Sequence, residues 1–158
     1  DLSFFDEETK TRYVPHVIEP AAGIDRAAMT FLVDGYDETI VNNEERVVLH
    51  LHPKIAPVTV AVFPLVKKEG RPEKAGEIEE ELRPSFATVI EANASIGKRY
   101  ARQHEIGTPF CITVDGQSMQ DDTVTVRDRD TLTQDRVKVG ELRAFVAQKI
   151  AAWKRADG

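Results

Sequence analysis

The first forty residues alternate between short apolar groups and turn signals. Residues 12–19 predict a strand that Pro15 interrupts, because proline cannot donate a ladder hydrogen bond. After Gly23 the apolar residues recur at helical spacing: Ile24, Ala27, Ala28, Phe31 and Leu32. This strand–turn–helix unit is too small to bury its own apolar face, so we expect it to need a partner sheet.

The polar, turn-rich residues 37–46 predict a linker, and we place the domain boundary after residue 46. The domains are then residues 1–46 and residues 47–158. In the second domain, strands are predicted at residues 58–66, 85–93, 109–115, 123–131 and 134–139, and helices at residues 71–84, 95–107 and 140–156. This order predicts an α/β fold: a mixed five-stranded sheet, parallel in its first half, with three helices.

Local signals support these elements. Residues 58–66 form a nearly continuous β-branched apolar run, which is typical of a strand buried on both faces. Pro72 suits the first turn of a helix that Pro84 ends. Ser95 is a candidate N-cap and Gly107 a candidate C-cap of the next helix.

Composition narrows the classes of function. The formal net charge of −6 argues against binding nucleic acid over the whole surface, although a local basic patch remains possible. No apolar run approaches the roughly 20 residues of a membrane span, and no signal peptide is recognisable. Cys111 is the single cysteine, so an internal disulfide is excluded, and we expect a reduced, cytoplasmic protein.

Arg26 lies in the first turn of the predicted helix after Gly23. Free N–H groups and the positive end of the dipole favour an anion there, and an arginine would add a fork for phosphate. The alternative is an exposed arginine that pairs with Asp25 or a neighbouring acid. The residues alone favour this alternative, because Gly-x-x-Arg is a weak pattern.

Two further groups of basic residues are candidates for RNA binding. On the helix of residues 95–107, three cations lie within about one turn, beside two side chains that can stack: Lys98, Arg99 and Arg102, with Tyr100 and His104. A solvated helix face with ordinary ion pairs explains them equally well. Strand alternation places Arg127 and Arg129 on one face, where phosphate binding or a cross-strand ladder of ion pairs is possible. The ladder is slightly favoured.

The sequence shows no motif for a metal site, for nucleophilic catalysis or for a phosphate-binding loop. His50 and His52 are two residues apart, but no further histidine or cysteine stands at zinc-site spacing, so we expect no metal site. No nucleophile–base pair and no glycine-rich phosphate loop are recognisable.

Longer blocks carry a resemblance to a known family. The block "PHVIEPAAGIDRAAMTFL" resembles the third signature motif of class II aminoacyl-tRNA synthetases, in the form of the homodimeric glycyl-tRNA synthetases. The blocks "APVTVAVFPLVKKEGRPEKAGEIEEEL", "SIGKRYARQHEIGTPFCITVD" and "TVTVRDRDTLTQDRVKV" resemble the anticodon-binding domain of the same family. Their order is that of the family's C-terminal portion, so residues 1–46 would be a remnant of its antiparallel catalytic domain.

The resemblance implies a reaction in which glycine and ATP, with Mg²⁺, form glycyl-adenylate and then glycyl-tRNA. By position it implies a glycine pocket of Glu19, Pro20, Ala21, Ala22 and Gly23, and an ATP site of Gly23, Ile24, Asp25 and Arg26. Arg26 would be catalytic, on the ATP phosphates. The family usually has Ser where this chain has Ala21, so one hydrogen bond to glycine is missing. The family's other two motifs are not in these residues, so we expect the chain alone to be inactive.

The resemblance also implies partners. Glycine tRNA would bind through its anticodon region to Lys98, Arg99, Arg102, Arg127 and Arg129. The full protein would be a homodimer, without DNA or membrane partners. A second hypothesis is a non-catalytic RNA-binding or accessory protein built on an anticodon-binding domain. A third, an α/β domain for a small ligand, ranks last because it lacks a glycine-rich fingerprint.

Overall fold

The structure is a computed structural model that describes residues 2–41 and 44–154. The chain divides into two compact units, Asp1–Thr30 and Phe31–Gly158. Helix α1 (Ile24–Gly35) begins in the first unit and ends in the second.

The first unit contains a small antiparallel sheet ahead of α1. Its strands are β1 (Phe4–Asp6) and β2 (Thr11–Tyr13). The strand predicted at residues 12–19 is wrong beyond Tyr13, because residues 14–23 have no regular secondary structure. Pro15 supplies no N–H, and no described strand pairs with this segment.

The segment that joins α1 to the larger sheet is a hairpin, where a linker was predicted. Strand β3 (Tyr36–Val41) pairs antiparallel with β4 (Glu44–Leu49). Residues 42 and 43 of the predicted linker lie outside the described residues. The polar sequence misled the prediction because β3 is mostly exposed and needs no alternating apolar face, while β4 buries Val48. The domain boundary after residue 46 stays a prediction.

The predicted five-stranded mixed sheet is confirmed, with strand order β6-β5-β7-β8-β9. The first three strands in this order run parallel, and the pairs β7–β8 and β8–β9 are antiparallel. The strands are β5 (Val60–Pro64), β6 (Thr88–Ile90), β7 (Phe110–Val114), β8 (Thr123–Asp128) and β9 (Gln134–Lys138).

The predicted helices are confirmed with shorter bounds, and one short helix is new. They are α2 (Arg71–Leu82), α3 (Ile96–Glu105), the one-turn α4 (Ser118–Asp121) and α5 (Leu142–Ala152), which follows a 3-10 turn at Val139–Glu141. The predicted end of the last helix, residues 155 and 156, lies outside the described residues. No helix in the described ranges is both long and apolar enough to cross a membrane.

The two faces of the sheet are covered differently. Helices α2 and α5 pack on one face and bury the main core, which includes Ala75, Ile78, Leu82, Leu142 and Val146 from these helices. Helix α3 covers only part of the other face, where Ile96 and Tyr100 pack on Ala61, Phe63 and Cys111. Every residue of β5 and β7 is buried, and for β5 the apolar run at residues 58–66 predicted this.

Helix α3 ends in a tight turn at Gly107. The Gly107 and Thr108 N–H groups donate to the carbonyl oxygens of His104 and Gln103, the pattern of a Schellman motif. Gly107 has φ +88°, a left-handed conformation that L side chains rarely adopt. A Cβ there would stand 3.1 Å from the Leu49 carbonyl oxygen, so the turn also brings α3 close to β4.

We expect Gly107→Ala to lower the free energy of unfolding by about 2 kcal/mol, because it adds left-handed strain to a close contact with Leu49. The matched control is Gly76→Ala in α2, where a Cβ would meet open space. Alanine should stabilise that helix by about 0.5–1 kcal/mol. Urea denaturation of both variants checks this, and equal changes in stability would contradict it.

Candidate functional site

The three basic residues predicted as one patch on α3 are separated by the helix. Lys98 and Arg102 lie four residues apart on the exposed side. Arg99 is 4% exposed and lies on the side that packs on the sheet, together with Gln103. The structure therefore does not bring Lys98, Arg99 and Arg102 onto a common surface.

Arg99 is engaged with the backbone around the end of β5. Its Nη1 donates to the carbonyl oxygen of Pro64 at 2.7 Å, and its Nε donates to that of Ala94 at 3.1 Å. The guanidinium carbon also lies 5.9 Å from the centroid of the Phe63 ring. Arg102 donates to the Asn93 carbonyl oxygen at 2.8 Å and forms an ion pair with Glu91. These contacts hold α3 in place, and of the three cations they leave Lys98 the most open.

Arg129 is fully buried in the turn after β8. Its Nη1 donates to the Gly107 carbonyl oxygen at 2.7 Å, and its Nη2 donates to that of Leu51 at 2.9 Å. The carboxylate of Asp130 accepts from Nε at 2.7 Å and from Nη2 at 2.9 Å. Because β8 ends at Asp128, the alternation that placed Arg129 beside Arg127 does not extend to Arg129. Its guanidinium is occupied within the protein.

Asp130 connects this turn to two other segments. His50 Nδ1 lies 2.6 Å from one carboxylate oxygen, and Trp153 Nε1 donates to the other at 2.9 Å. Burial raises the pKa of Asp130, but hydrogen bonds from Arg129, Trp153 and His50 and the charge of Arg129 outweigh it and lower the pKa to about 2. Asp130 is therefore the counter-charge of Arg129 at neutral pH.

The face of β8 and β9 on the α3 side forms a polar surface beside that helix. Val124, Val126 and Val137 are buried on the opposite face. The residues that alternate with them are partly or fully exposed: Thr123, Thr125, Arg127, Gln134, Arg136 and Lys138. We call this set the open sheet face. Cross-strand pairing of Arg127 with Cys111, which packs near Tyr100, places Arg127 next to α3.

The cations of the open sheet face differ in their pairing. Arg136 is held by both carboxylate oxygens of Asp115, at 2.5 and 2.9 Å, and this bond lowers the pKa of Asp115. The guanidinium carbon of Arg127 lies 4.8 Å from the centroid of the Tyr100 ring, and its Nε is buried without a hydrogen-bond partner among the described residues. Lys138 is exposed. Arg127 was predicted from the sequence as an RNA-binding residue, and Lys138 was not.

The residues predicted for glycine and ATP lie in the first unit. Glu19–Gly23 form an exposed irregular segment, and the Gly23 carbonyl oxygen accepts the first helical hydrogen bond, from Ala27, at 3.0 Å. Arg26 follows in the first turn of α1 and is exposed. Arg26 therefore lies in the first helical turn next to an exposed segment, and an anion site there stays a prediction.

Metal-ligating side chains are not clustered in the part of the chain that the structure describes. Within the described ranges, no three His, Cys, Asp or Glu side chains are grouped so that they could hold a metal ion.

A model of the anticodon binding domain family matches residues 59–149, which span β5 to α5 and include the open sheet face. The chain belongs to the anticodon-binding domain family. The match covers all strands of the larger sheet, and it excludes α1 and the β3–β4 hairpin.

Curated relatives extend the similarity beyond this anticodon-binding domain. The glycine–tRNA ligase of Rhodopirellula baltica is 48% identical over 96% of the chain, and that of Geobacillus thermodenitrificans is 51% identical over 96%. The chain covers 29% and 32% of these proteins, so it spans about a third of the relatives' length. The resemblance to the C-terminal portion of glycyl-tRNA synthetases is confirmed.

Solved structures support the same fold. Prolyl-tRNA synthetase from Cryptosporidium parvum superposes with a TM-score of 0.62 over 65% of this chain and 22% of that protein. The sequence identity is 23%, so this similarity concerns the fold alone.

We expect Asp130→Asn to lower the free energy of unfolding at pH 7 by about 3 kcal/mol, since Arg129 is then buried without a counter-charge. An unfolded aspartate has a pKa of about 3.9, above that of folded Asp130. The carboxylate thus stabilises the fold above about pH 4, and this contribution is lost as the pH falls toward about 2.

Urea denaturation at pH 7, 4 and 2.5 measures both effects. The control is Asp135→Asn, which removes a partly exposed ion pair with Lys149 and should cost less than about 1 kcal/mol. An Asp130→Asn variant as stable as the parent at pH 7 would show that the pair does not support the fold.

Proposed function

We propose that this chain is the tRNA-binding portion of a glycine–tRNA ligase and that it binds the anticodon region of glycine tRNA through the open sheet face. Membership of the anticodon-binding domain family and the two named relatives support the substrate class. The observation that carries the proposal is Arg127, which has no carboxylate partner among the described residues and stacks on Tyr100 beside an uncovered sheet. Such a surface offers charge to phosphates and planar groups to bases.

Local charge reconciles this proposal with the overall charge of −6. On the open sheet face, Asp115 neutralises Arg136, which leaves Arg127 and Lys138 as its uncompensated cations. Phosphate binding depends on such local charge, and its affinity falls as salt rises. Lys98 and Arg102 on the outer side of α3 would contribute less, because Arg102 is already paired with Glu91.

For the longer protein, we propose that Glu19–Gly23 bind glycine and that Arg26 contacts the phosphates of ATP. Exposed N–H groups at the start of α1 suit an anion, and Glu19 suits the glycine ammonium group. Small side chains at Ala21 and Ala22 suit an amino acid without a side chain. The dimer, Mg²⁺ and a cytoplasmic location belong to the same proposal.

Fluorescence anisotropy with a glycine tRNA transcript tests the tRNA proposal. We expect the chain to bind, with log affinity falling linearly with log salt concentration. The double variant Arg127→Gln/Lys138→Gln should bind about 10-fold or more weakly at low salt, because it removes two cations. The control Arg83→Gln, at the exposed residue that caps the C-terminus of α2 and pairs with Glu79, should bind as the parent does. Equal affinity of all three proteins would refute the assignment of the surface.

Glycine-dependent exchange of pyrophosphate into ATP tests the catalytic proposal. The chain of 158 residues should show no exchange. In the longer protein, Arg26→Ala should lower the exchange rate by about 100-fold or more, as removal of a charge-stabilising donor does. Arg143→Ala, on the exposed side of α5, is the control and should leave the rate unchanged. An unchanged rate for Arg26→Ala would favour the non-catalytic alternative for this segment.

A further inference from the structure

Arg46 brings an additional cation to the edge of the open sheet face from outside the family domain. It lies on β4, in the hairpin that precedes the residues 59–149 matched by the family, and it is partly exposed. Its Nη2 donates to the Arg129 carbonyl oxygen at 2.7 Å and lies 3.4 Å from His104 Nδ1. Both contacts are made by Nη2, one of its three nitrogens, and the strand pairing of β4 fixes the position of its backbone.

Arg46 contacts His104, and the charges of Arg127 and Arg129 also act on this imidazole. Burial, followed by the charges of Arg46, Arg127 and Arg129, lowers the pKa of His104 to about 3. The imidazole is therefore neutral near pH 7. Arginine can only donate, so His104 Nδ1 is the acceptor toward Arg46 and the proton resides on Nε2.

Only one of these three guanidinium groups has its own counter-charge. Asp130 forms an ion pair with Arg129, whereas no carboxylate of the described residues forms an ion pair with Arg46 or Arg127. Burial and the repulsion from the charge of Arg127 lower the pKa of Arg46, and they outweigh the charges of Asp130 and Asp37, which raise it. An anion at this point would relieve that repulsion.

The surroundings of His104 and Arg127 contain more hydrogen-bond donors than acceptors. Arg127 Nε and His104 Nε2 are both buried without a partner among the described residues. Since the neutral His104 donates at Nε2, each is an unused N–H group. A ligand that offers several acceptor oxygens and a negative charge matches this surplus, and phosphate is such a group.

We propose that Arg46 and Arg127 together bind one phosphate of the tRNA backbone. This inference rests on the proposed function, and it adds a residue that the family match does not cover. Arg46 is held at its Nη2 by the turn after β8, so its guanidinium is oriented before RNA arrives and loses less freedom on binding.

The test measures how affinity for a glycine tRNA transcript depends on salt, for the parent chain and for Arg46→Gln, Arg46→Lys and Arg83→Gln. Loss of one phosphate contact should lower the slope of log affinity against log salt by about 0.7–1 in Arg46→Gln, with affinity about 5- to 20-fold weaker at low salt. Arg46→Lys keeps the charge and should keep the slope. Arg83→Gln should match the parent in both.

Thermal melting of each variant separates binding from folding. If Arg46→Gln is unfolded at the assay temperature, Arg127→Gln decides, because it removes the other cation of the shared contact: a slope lowered by about 0.7–1 supports the proposal, and the parent's slope overturns it. A folded Arg46→Gln with the parent's slope also overturns it, while tRNA binding by the parent would leave the proposed function intact. Absence of tRNA binding by the parent would refute the proposed function and this inference together.

Discussion

The second unit depends on a buried ion pair between Arg129 and Asp130. A buried guanidinium needs an acceptor for each of its donors. Here the acceptors are the carbonyl oxygens of Gly107 and Leu51 and the carboxylate of Asp130. The pair therefore fixes the end of α3, the segment after β4 and the β8–β9 turn relative to one another. Trp153, which donates to Asp130, attaches the end of α5 to the same point.

This arrangement divides the arginines into two groups with different tasks. Arg99 and Arg129 donate to backbone carbonyl oxygens in the interior and hold the connections of the sheet in place. Arg46 and Arg127 lie at the edge of the open sheet face without carboxylate partners among the described residues. The first group makes the scaffold rigid, and the second supplies charge that an RNA backbone can use. A chain of net charge −6 can in this way present a local cationic site.

Patterns that depend on burial were predictable from the sequence. The buried strand at residues 58–66, the proline-bounded α2 and the glycine after α3 were all recognisable. The β3–β4 hairpin was not, because the mostly exposed β3 carries no alternating apolar pattern. The burial of Arg129 was not predictable either. Strand alternation does not apply to a residue beyond the end of β8, and the partners Gly107 and Leu51 are distant in sequence. Similarly, helical spacing groups Arg99 with Gln103, but only the fold shows that this side faces inward.

The central claim is that RNA binds on the open sheet face, opposite α2 and α5. Titration of the isotope-labelled chain with the anticodon stem-loop of glycine tRNA, followed by amide chemical shifts in NMR, tests it most directly. We expect the largest shifts at residues 123–127 and 134–138, with α2 nearly unchanged. Shifts confined to α2 and α5, on the opposite face of the sheet, would contradict it.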